Sequence, residues 1–252
     1  MLRFAEPHTH LAMVFLLGVP MLGAPSGPIK HSPEPVTYVL VGFVGGFVRH
    51  TNPHHGPVIV AKKIHQFAPQ GSHIEVYENR HRKTAYRDIL HLLDTDRDGS
   101  LSSDEKARAR IILFGQSWGG SAVVLLAREL KHIGVPVMLT VQVDSIDKPW
   151  QQDDVIPDNV AAAVNFYQPH GLLHGRQWIR AADDSKTQIL GNYRFDYREK
   201  PVKCDGMSWI DRTLTPSHMQ SECDPQLWGQ VENLVRQRME PESEKLALVP
   251  AP

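Results

Sequence analysis

The chain has 252 residues, a length that suits one domain with a full hydrophobic core. Charged residues make up 22% of it, and the formal net charge is −1 at pH 7. This balance gives no reason to expect nucleic acid or an acidic membrane surface as a partner. Most of the 14 histidines lie in polar stretches such as RHTNPHHG, so we interpret them as solvated loop residues and not as metal ligands.

The N-terminal segment, residues 1–26, has the layout of a secretory signal peptide. Arg3 precedes an apolar run from Leu11 to Leu22, and small residues and proline follow. The run is too short to cross a bilayer as a helix, which needs about 20 apolar residues. Glu6 and Pro20 depart from the pattern, and a misplaced start or a buried first strand is the alternative. Because the layout as a whole favours a signal peptide, we predict a secreted or periplasmic protein.

Alternating strand and helix patterns begin at Val36. Short runs rich in β-branched residues predict strands at 36–41, 72–78, 109–115, 135–144 and 161–168. Helical spacing of apolar residues predicts helices that begin near positions 57, 83, 120 and 224. Pro57 and Pro225 suit a first helical turn, and Gly134 ends the third helix.

This alternation predicts an α/β fold over residues 27–240, with one mostly parallel sheet and helices on both faces. Residues 170–211 form an irregular stretch with one further strand at 187–195, and residues 241–252 form a loose tail. In such sheets ligands bind beyond the carboxyl ends of the strands. The candidate site therefore comprises GFVGG after the first strand, GQSWGG after the third and Asp144 after the fourth.

The pentapeptide GQSWG fits the pattern G-x-S-x-G, with Ser117 between Gly115 and Gly119. The serine of this pattern sits on a strained turn between a strand and a helix, where flanking side chains would collide. The apolar run RIILF precedes it and a predicted helix follows. This context favours a nucleophilic serine over a tight structural turn.

From about Val36 to Met239 the chain resembles the α/β-hydrolase family. The resemblance rests on GFVGG, GQSWGGS, the order of acid and histidine, and the closing helix. It implies the catalytic residues Ser117, Asp144 and His218, in the family's chain order. Asp144 follows the fourth strand, as in a minority of the family; its rivals are Asp147, Asp153, Asp158 and Asp183. The rival to His218 is His174.

By this resemblance Ser117 attacks an acyl carbonyl, His218 transfers the proton and Asp144 orients the imidazole. The backbone N–H of Trp118 would be one oxyanion donor, and that of Phe43 or Val44 the other. A lipase is expected to have an apolar lid, and the sequence shows no clear one; the segment LLHGRQWI, at 172–179, is the only candidate.

The two cysteines, Cys204 and Cys223, fit an exported protein. In an oxidising compartment such a pair usually forms one disulfide, whereas in the cytosol both would be thiols. Neither has the CxxC spacing of a zinc site. The predicted disulfide would close the loop that carries His218 and hold this residue in register with Ser117.

The segment DTDRDGSLSSDE, at 94–105, matches the twelve-residue EF-hand loop. Gly99 supplies the sharp turn, and Leu101 is the apolar residue that points inward. The predicted Ca²⁺ ligands are Asp94, Asp96, Asp98, Ser100, Ser102 and Glu105. The exit helix is short and no second loop is present in the sequence, so we expect a structural clip between the preceding helix and the strand of Ser117. The alternative is an acidic surface turn.

These features predict a secreted serine hydrolase with a structural Ca²⁺ ion. The expected substrate is a small-molecule or lipid ester, or a thioester. The alternative hypothesis is a non-catalytic calcium-binding or interaction protein on a hydrolase scaffold.

Overall fold

A six-stranded parallel sheet forms the centre of the structure, a computed structural model that describes residues 38–206 and 215–240. The strands of this sheet are β1 (Val39–Val44), β2 (His73–Glu78), β3 (Ile111–Gln116), β4 (Leu139–Val143), β6 (Ala162–Tyr167) and β8 (Gln188–Arg194). Their order is β2–β1–β3–β4–β6–β8. The short strands β5 (Val155–Ile156) and β7 (Arg180–Ala181) form a separate pair. The predicted signal peptide and tail lie outside the described residues.

Helices cover both faces of the sheet. They are α1 (Gly56–Ile64), α2 (Arg82–Leu93), α3 (Ser103–Arg108), α4 (Trp118–His132), α5 (Pro216–Cys223) and α6 (Pro225–Met239). Helices α1 and α6 pack on one face, and α2 and α4 on the other. The predicted fold class is therefore confirmed. Within the described ranges, none of the helices has the length and apolar character that a membrane span requires.

Side chains of the central strands alternate between two buried layers. Leu40 and Val44 join the layer beneath α1 and α6, whereas Val41 and Phe43 join the layer beneath α2 and α4. All four are at most 1% exposed. Burial on both faces explains why the strands of a parallel sheet appear in sequence as continuous apolar runs.

Strand β1 ends later than the sequence predicts, at Val44 instead of Val41. The prediction ended at Val41, the last residue of the continuous apolar run, because glycines follow it. In the structure the ring of Phe114 fills the space beside Gly42, since a Cβ built there would lie 2.6 Å from the Phe114 Cε2 atom. Gly42 is therefore an internal residue of β1, where the absence of a side chain leaves room for the Phe114 ring.

A disulfide joins Cys204 and Cys223, as predicted, with 5.6 Å between the two Cα atoms. Cys223 is the last residue of α5, a helix that the sequence analysis did not predict. The next residue, Asp224, is the N-cap of α6, as predicted, and accepts a hydrogen bond from the backbone N–H of Gln226. The disulfide thus fastens α5 to the loop that precedes it.

Helix α1 lies against α6 at Gly56, where a Cβ would stand 1.8 Å from the Trp228 Cε2 atom. The indole is 2% exposed and donates from Nε1 to the Ser221 carbonyl at 3.1 Å, so it has no room to move away. We expect Gly56→Ala to lower the free energy of unfolding by about 1–3 kcal/mol, the usual cost of overpacking. Denaturation with urea measures this change.

Gly229→Ala in α6 is the matched control, because beyond the adjacent residues and the backbone of α6 itself no heavy atom lies within 4 Å of a Cβ at that position. Alanine is a better helix former than glycine, so this variant should gain about 0.5–1 kcal/mol. Equal loss of stability in both variants would contradict the close packing of α1 on α6.

Candidate active site

Ser117 occupies the sharp turn between β3 and α4. Its backbone angles are φ 57° and ψ −127°, a conformation that non-glycine residues rarely adopt. Close packing holds the turn on both sides: a Cβ at Gly115 would lie 2.4 Å from the Gly119 carbonyl oxygen, and one at Gly119 would lie 2.3 Å from that of Phe43. The two flanking glycines therefore permit the turn.

Three side chains from distant parts of the chain form a hydrogen-bonded series at this turn. The Nε2 atom of His218 lies 3.0 Å from the Ser117 Oγ atom, and its Nδ1 atom lies 2.7 Å from the Asp144 Oδ2 atom. Each of the three residues is at most 6% exposed. Because a carboxylate can only accept, Nδ1 carries the proton of a neutral ring and Nε2 accepts from the serine hydroxyl.

The carboxylate of Asp144 has further donors that fix its orientation. Gln168, which follows β6, donates from its backbone N–H at 3.3 Å and from Nε2 at 3.0 Å. The backbone N–H of Gly175 donates at 2.6 Å. A Cβ at Gly175 would lie 2.3 Å from the Asp144 carbonyl carbon, so only glycine allows this approach. These hydrogen bonds, which all come from the connection between β6 and β7, therefore hold the carboxylate toward His218.

The rival residues named from the sequence have other partners. Asp147 and Asp153 both bind Arg176, and Asp153 also accepts from the Ser145 hydroxyl at 2.5 Å. The two more distant aspartates lie on the surface, where Asp158 pairs with Lys131 and Lys186, and Asp183 accepts from Ser185. His174 is exposed, and its Nδ1 atom lies 3.1 Å from the Gly171 carbonyl. The structure places Asp144, and none of these aspartates, beside His218.

Burial alone would lower the pKa of His218, because it disfavours the charged ring. The hydrogen bond and negative charge of Asp144, with a smaller contribution from Glu222, outweigh this effect and raise the pKa above its ordinary value of 6.5. The imidazolium form of His218 is thus stabilised in this site.

The structure does not bring Phe43 and Val44 to the cavity beside Ser117. Both lie in β1, fully buried and paired with β2 and β3 or with β2 alone. The wall is formed instead by the next residues, Gly45, Gly46 and Phe47, while Trp118 lines it as expected. The sequence placed the strand end three residues too early, and the identity of the second oxyanion donor stays a prediction.

Asn79 braces the loop that follows β1. Its Nδ2 atom donates to the carbonyls of Val44 at 3.3 Å and Gly46 at 2.7 Å. Its Oδ1 atom accepts from the Lys148 ammonium at 2.8 Å, and that ammonium also lies 4.8 Å from the Trp118 ring centroid. The loop after β1 and the connection after β4 are therefore linked through one buried amide.

The cavity has a volume of about 730 Å³ and contains Ser117 and His218 in its wall. Its apolar lining comprises Phe47, Val48, Trp118, Leu173 and Met219, and its other polar lining includes Asn52, His55, Gln116 and Glu222. Leu173 belongs to the lid candidate at 172–179, of which Leu172 is 96% and Trp178 is 56% exposed. Of this lid candidate, Leu173 therefore borders the cavity.

Sequence reasoning missed two buried residues of this cavity, His55 and Glu222. His55 was interpreted as a solvated loop residue, which is wrong: it is 5% exposed, and its Nδ1 atom donates to the Glu222 Oε1 atom. The available signals were the start of helix α1 at Gly56, directly after His55, and the four-residue spacing from His218 to Glu222. Neither signal indicates that the two side chains meet.

The acidic loop between α2 and α3 gathers three carboxylates. One oxygen each from Asp94, Asp96 and Asp98 lies within 4.8 Å of the others. The backbone N–H groups of Asp98 and Gly99 donate to the Asp94 carboxylate at 3.1 and 3.0 Å. Gly99 has φ +85°, which suits the sharp turn expected at this position. Oxygen donors in such a turn fit Ca²⁺.

The remaining predicted ligands have other contacts in this structure. Ser100 donates from its backbone and its hydroxyl to Asp98, at 2.8 Å each. Ser102 and Glu105 form a reciprocal cap on α3, and Glu105 also accepts from Thr95. The hydrogen bonds from Ser102 and Thr95 lower the pKa of Glu105 to about 2. The structure therefore clusters the three aspartates and keeps Glu105 in the helix cap.

Sheet order, the serine turn after β3 and helices on both faces together define an α/β-hydrolase fold. Comparison with protein-family models and with curated protein sequences gave no match.

Several solved structures are similar to this chain. A cutinase-like protein from Cryptococcus sp. has a TM-score of 0.42 and 13% identity, covering 81% of this chain and 95% of that one. Dienelactone hydrolase from Anabaena variabilis has a TM-score of 0.39 and 11% identity, with coverage of 81% and 86%. An acetylxylan esterase has a TM-score of 0.36 and 10% identity, with coverage of 82% and 99%.

Titration of His218 tests the electrostatics of the site. In the intact protein, NMR of the labelled imidazole should give a pKa above 6.5, since Asp144 stabilises the charged ring. Asp144→Asn should bring it below 6.5, because only the effect of burial and the smaller effect of Glu222 remain. Glu222→Gln should produce a smaller decrease. A wild-type pKa below 6.5 would contradict a dominant contribution from Asp144.

Proposed function

We propose that this protein is a serine hydrolase that cleaves carboxylic esters or thioesters. The observation that supports the proposal best is the hydrogen-bonded series Asp144–His218–Ser117, with distances of 2.7 and 3.0 Å at the wall of the cavity. A serine, a base within hydrogen-bond reach and a group that orients the base are the parts of an activated nucleophile.

In the acylation step the Ser117 Oγ atom attacks the carbonyl carbon, and the hydroxyl proton passes to the His218 Nε2 atom. The resulting imidazolium is paired with the ionised Asp144. When the tetrahedral intermediate collapses, the bond to the leaving alcohol or thiol breaks, and His218 returns the proton to that group. The acyl group remains on Ser117 as an ester.

Water completes the reaction by the same route. His218 takes a proton from the attacking water, whose oxygen adds to the acyl carbon. The bond to the Ser117 Oγ atom then breaks, and the proton returns to that oxygen as the carboxylic acid leaves. The proton-accepting form of His218 is the neutral ring. Because the pKa of His218 is raised, activity should decline as pH falls through a value above 6.5.

Two backbone N–H groups would stabilise the oxyanion. The first is that of Trp118, the first residue of α4, where free N–H groups and the helix dipole favour negative charge. The second would come from the Gly45–Phe47 loop, which lines the cavity, in place of the expected Phe43 or Val44. Loss of one such donor costs about 3 kcal/mol of barrier stabilisation.

The expected substrate is a small-molecule or lipid ester, because the cavity has both apolar and polar lining. The proposed location is secreted or periplasmic. The Cys204–Cys223 disulfide supports this location, since disulfides persist mainly in oxidising compartments.

The acidic loop supports a second part of the proposal, a structural Ca²⁺ ion. Asp94, Asp96 and Asp98 would hold it, together with Ser100, Ser102 and Glu105. Leu101 packs against the core layer beneath α2 and α4, so the loop is anchored beside the sheet. The ion would supply positive charge against four carboxylates, and none of these residues belongs to the proposed triad.

Substitution of the triad tests the catalytic proposal. Ser117→Ala should abolish labelling by a fluorophosphonate probe, and hydrolysis of p-nitrophenyl esters should fall at least about 1,000-fold because the nucleophile is lost. His218→Ala and Asp144→Asn should also remove most of the activity, with the histidine change the larger.

Asp147→Asn is the matched control for Asp144→Asn, because Asp147 binds Arg176 and does not approach His218. It should stay within a few-fold of the wild type. Activity of Ser117→Ala close to the wild-type value, or a wild type that the probe never labels, would favour the non-catalytic alternative.

Thermal unfolding with and without Ca²⁺ tests the metal site. An ion that binds only the native state stabilises it by about 2.7 kcal/mol at 100 times the dissociation constant, so Tm should rise with Ca²⁺ and fall with a chelator. Glu105→Gln should flatten this response, since glutamine can maintain the α3 cap but is not a bidentate anionic ligand. The exposed neighbour substitution Asp104→Asn should leave the response intact. A Tm that ignores Ca²⁺ in the wild type would refute the site.

A further inference from the structure

The proposed mechanism leaves a second histidine–carboxylate pair in the same cavity unused. His55 and Glu222 line the cavity with Ser117, and they are 5% and 3% exposed. The His55 Nδ1 atom donates to the Glu222 carboxylate. A buried ionisable pair that faces a reaction cavity and takes no part in the chemistry is a candidate for substrate recognition.

Both members of the pair are held by rigid surroundings. His55 directly precedes α1, whose first residue, Gly56, packs on the Trp228 indole. Glu222 lies on α5, and the next residue is the disulfide-bonded Cys223. The position of the pair is therefore fixed from two sides, as pre-organised recognition requires.

The second nitrogen of His55 is available to a ligand. Its Nδ1 atom is bound to Glu222, whereas Nε2 has no hydrogen-bond partner among the described residues and the ring borders the cavity. A neutral His55 would accept a hydrogen bond at Nε2, and a protonated one would donate. A hydroxyl group fits both states, because it can donate and accept.

Charge in the cavity disfavours an anionic ligand. Glu222 faces the cavity, Asp144 lies behind His218, and neither lysine nor arginine occurs among the described lining residues. A substrate carboxylate would meet these negative charges, and the Lys148 ammonium beside the Trp118 ring already donates to the Asn79 Oδ1 atom. The ligand chemistry that fits the pair is therefore a neutral hydroxyl group.

Glu222 lies close to the residue that would protonate the leaving group. In the proposed mechanism His218 gives its proton to the departing oxygen, so that oxygen lies next to His218. Glu222 stands four residues later on the same helix, about 5–6 Å along its axis, which is one helical turn. Glu222 therefore lies within one helical turn of the group that protonates the leaving oxygen.

We infer that His55 and Glu222 form a subsite for a hydroxyl group on the alcohol part of the ester, so that the substrates are esters of polyhydroxylated alcohols. This inference rests on the proposed hydrolase function. It assigns to His55 a hydrogen bond with the substrate and to Glu222 the orientation of the His55 ring.

A matched pair of esters tests the subsite. Glyceryl monobutyrate and propyl butyrate share their acyl group and three-carbon alcohol, but only the first has free hydroxyl groups. Butyrate release by the wild type should give a kcat/KM about tenfold higher for the glyceryl ester, mainly through KM, because a polar site left unpaired binds the other ester less well. His55→Phe should bring the ratio of the two kcat/KM values close to one.

Two further variants sharpen the result. Glu222→Gln should reduce the ratio partly, because the amide oxygen can still accept from Nδ1. His54→Phe is the control, since His54 is exposed and adjacent in sequence, and it should keep the wild-type ratio. Fluorophosphonate labelling of Ser117 shows whether His55→Phe folds. If it does not fold, the kcat/KM ratios of the wild type and of Glu222→Gln test the subsite instead.

The outcomes separate the two proposals. Turnover of p-nitrophenyl butyrate together with equal kcat/KM for both butyrates in the wild type, or an unchanged ratio in His55→Phe, would overturn the subsite and leave the hydrolase intact. If the wild type hydrolyses none of the three esters, the hydrolase proposal is overturned, and the subsite with it.

Discussion

The site depends on one backbone constraint, the left-handed conformation of Ser117. Such a conformation costs a non-glycine residue about 1–3 kcal/mol and persists only where the surroundings enforce it. Here α4 approaches β3 at Gly115 and β1 at Gly119 so closely that neither glycine could carry a side chain. The turn lifts the hydroxyl out of the sheet edge, and the residues after β1, β4 and β6 are arranged around it. The same two glycines therefore allow both the close packing of α4 on the sheet and the geometry of the site.

Much of this arrangement could be predicted, because its signals are local. Continuous apolar runs identified the parallel strands, since both faces of the sheet are buried. The glycines around Ser117 identified the turn, and Asp144 stood out as the polar residue at the end of β4. His218 came from the chain order of the resembled family and not from a pattern of its own.

Other parts of the site could not be predicted from local sequence patterns. His55 lies 167 residues from Glu222, and no spacing rule links them. Gln168 was assigned to a strand end, but its role beside Asp144 emerges only when β4 and β6 pair. Helix α5 was missed because its residues show almost no apolar periodicity. Two of its buried residues, His218 and Glu222, are polar and line the cavity. Burial of polar groups at a site is where reasoning from hydrophobic patterns fails.

Helix α5 has only eight residues, yet it carries the proposed proton carrier and one member of the proposed recognition pair. Its last residue is fixed by the disulfide, and Ser221 on the same helix donates to the His218 carbonyl at 2.7 Å. A shift of this helix would move His218 and Glu222 together. In laboratory evolution toward a different leaving group, substitutions that displace α5 should therefore change the selectivity for the alcohol part and lower the turnover rate at the same time. Improvement of one without loss of the other has to come from the opposite wall, where His55 precedes α1.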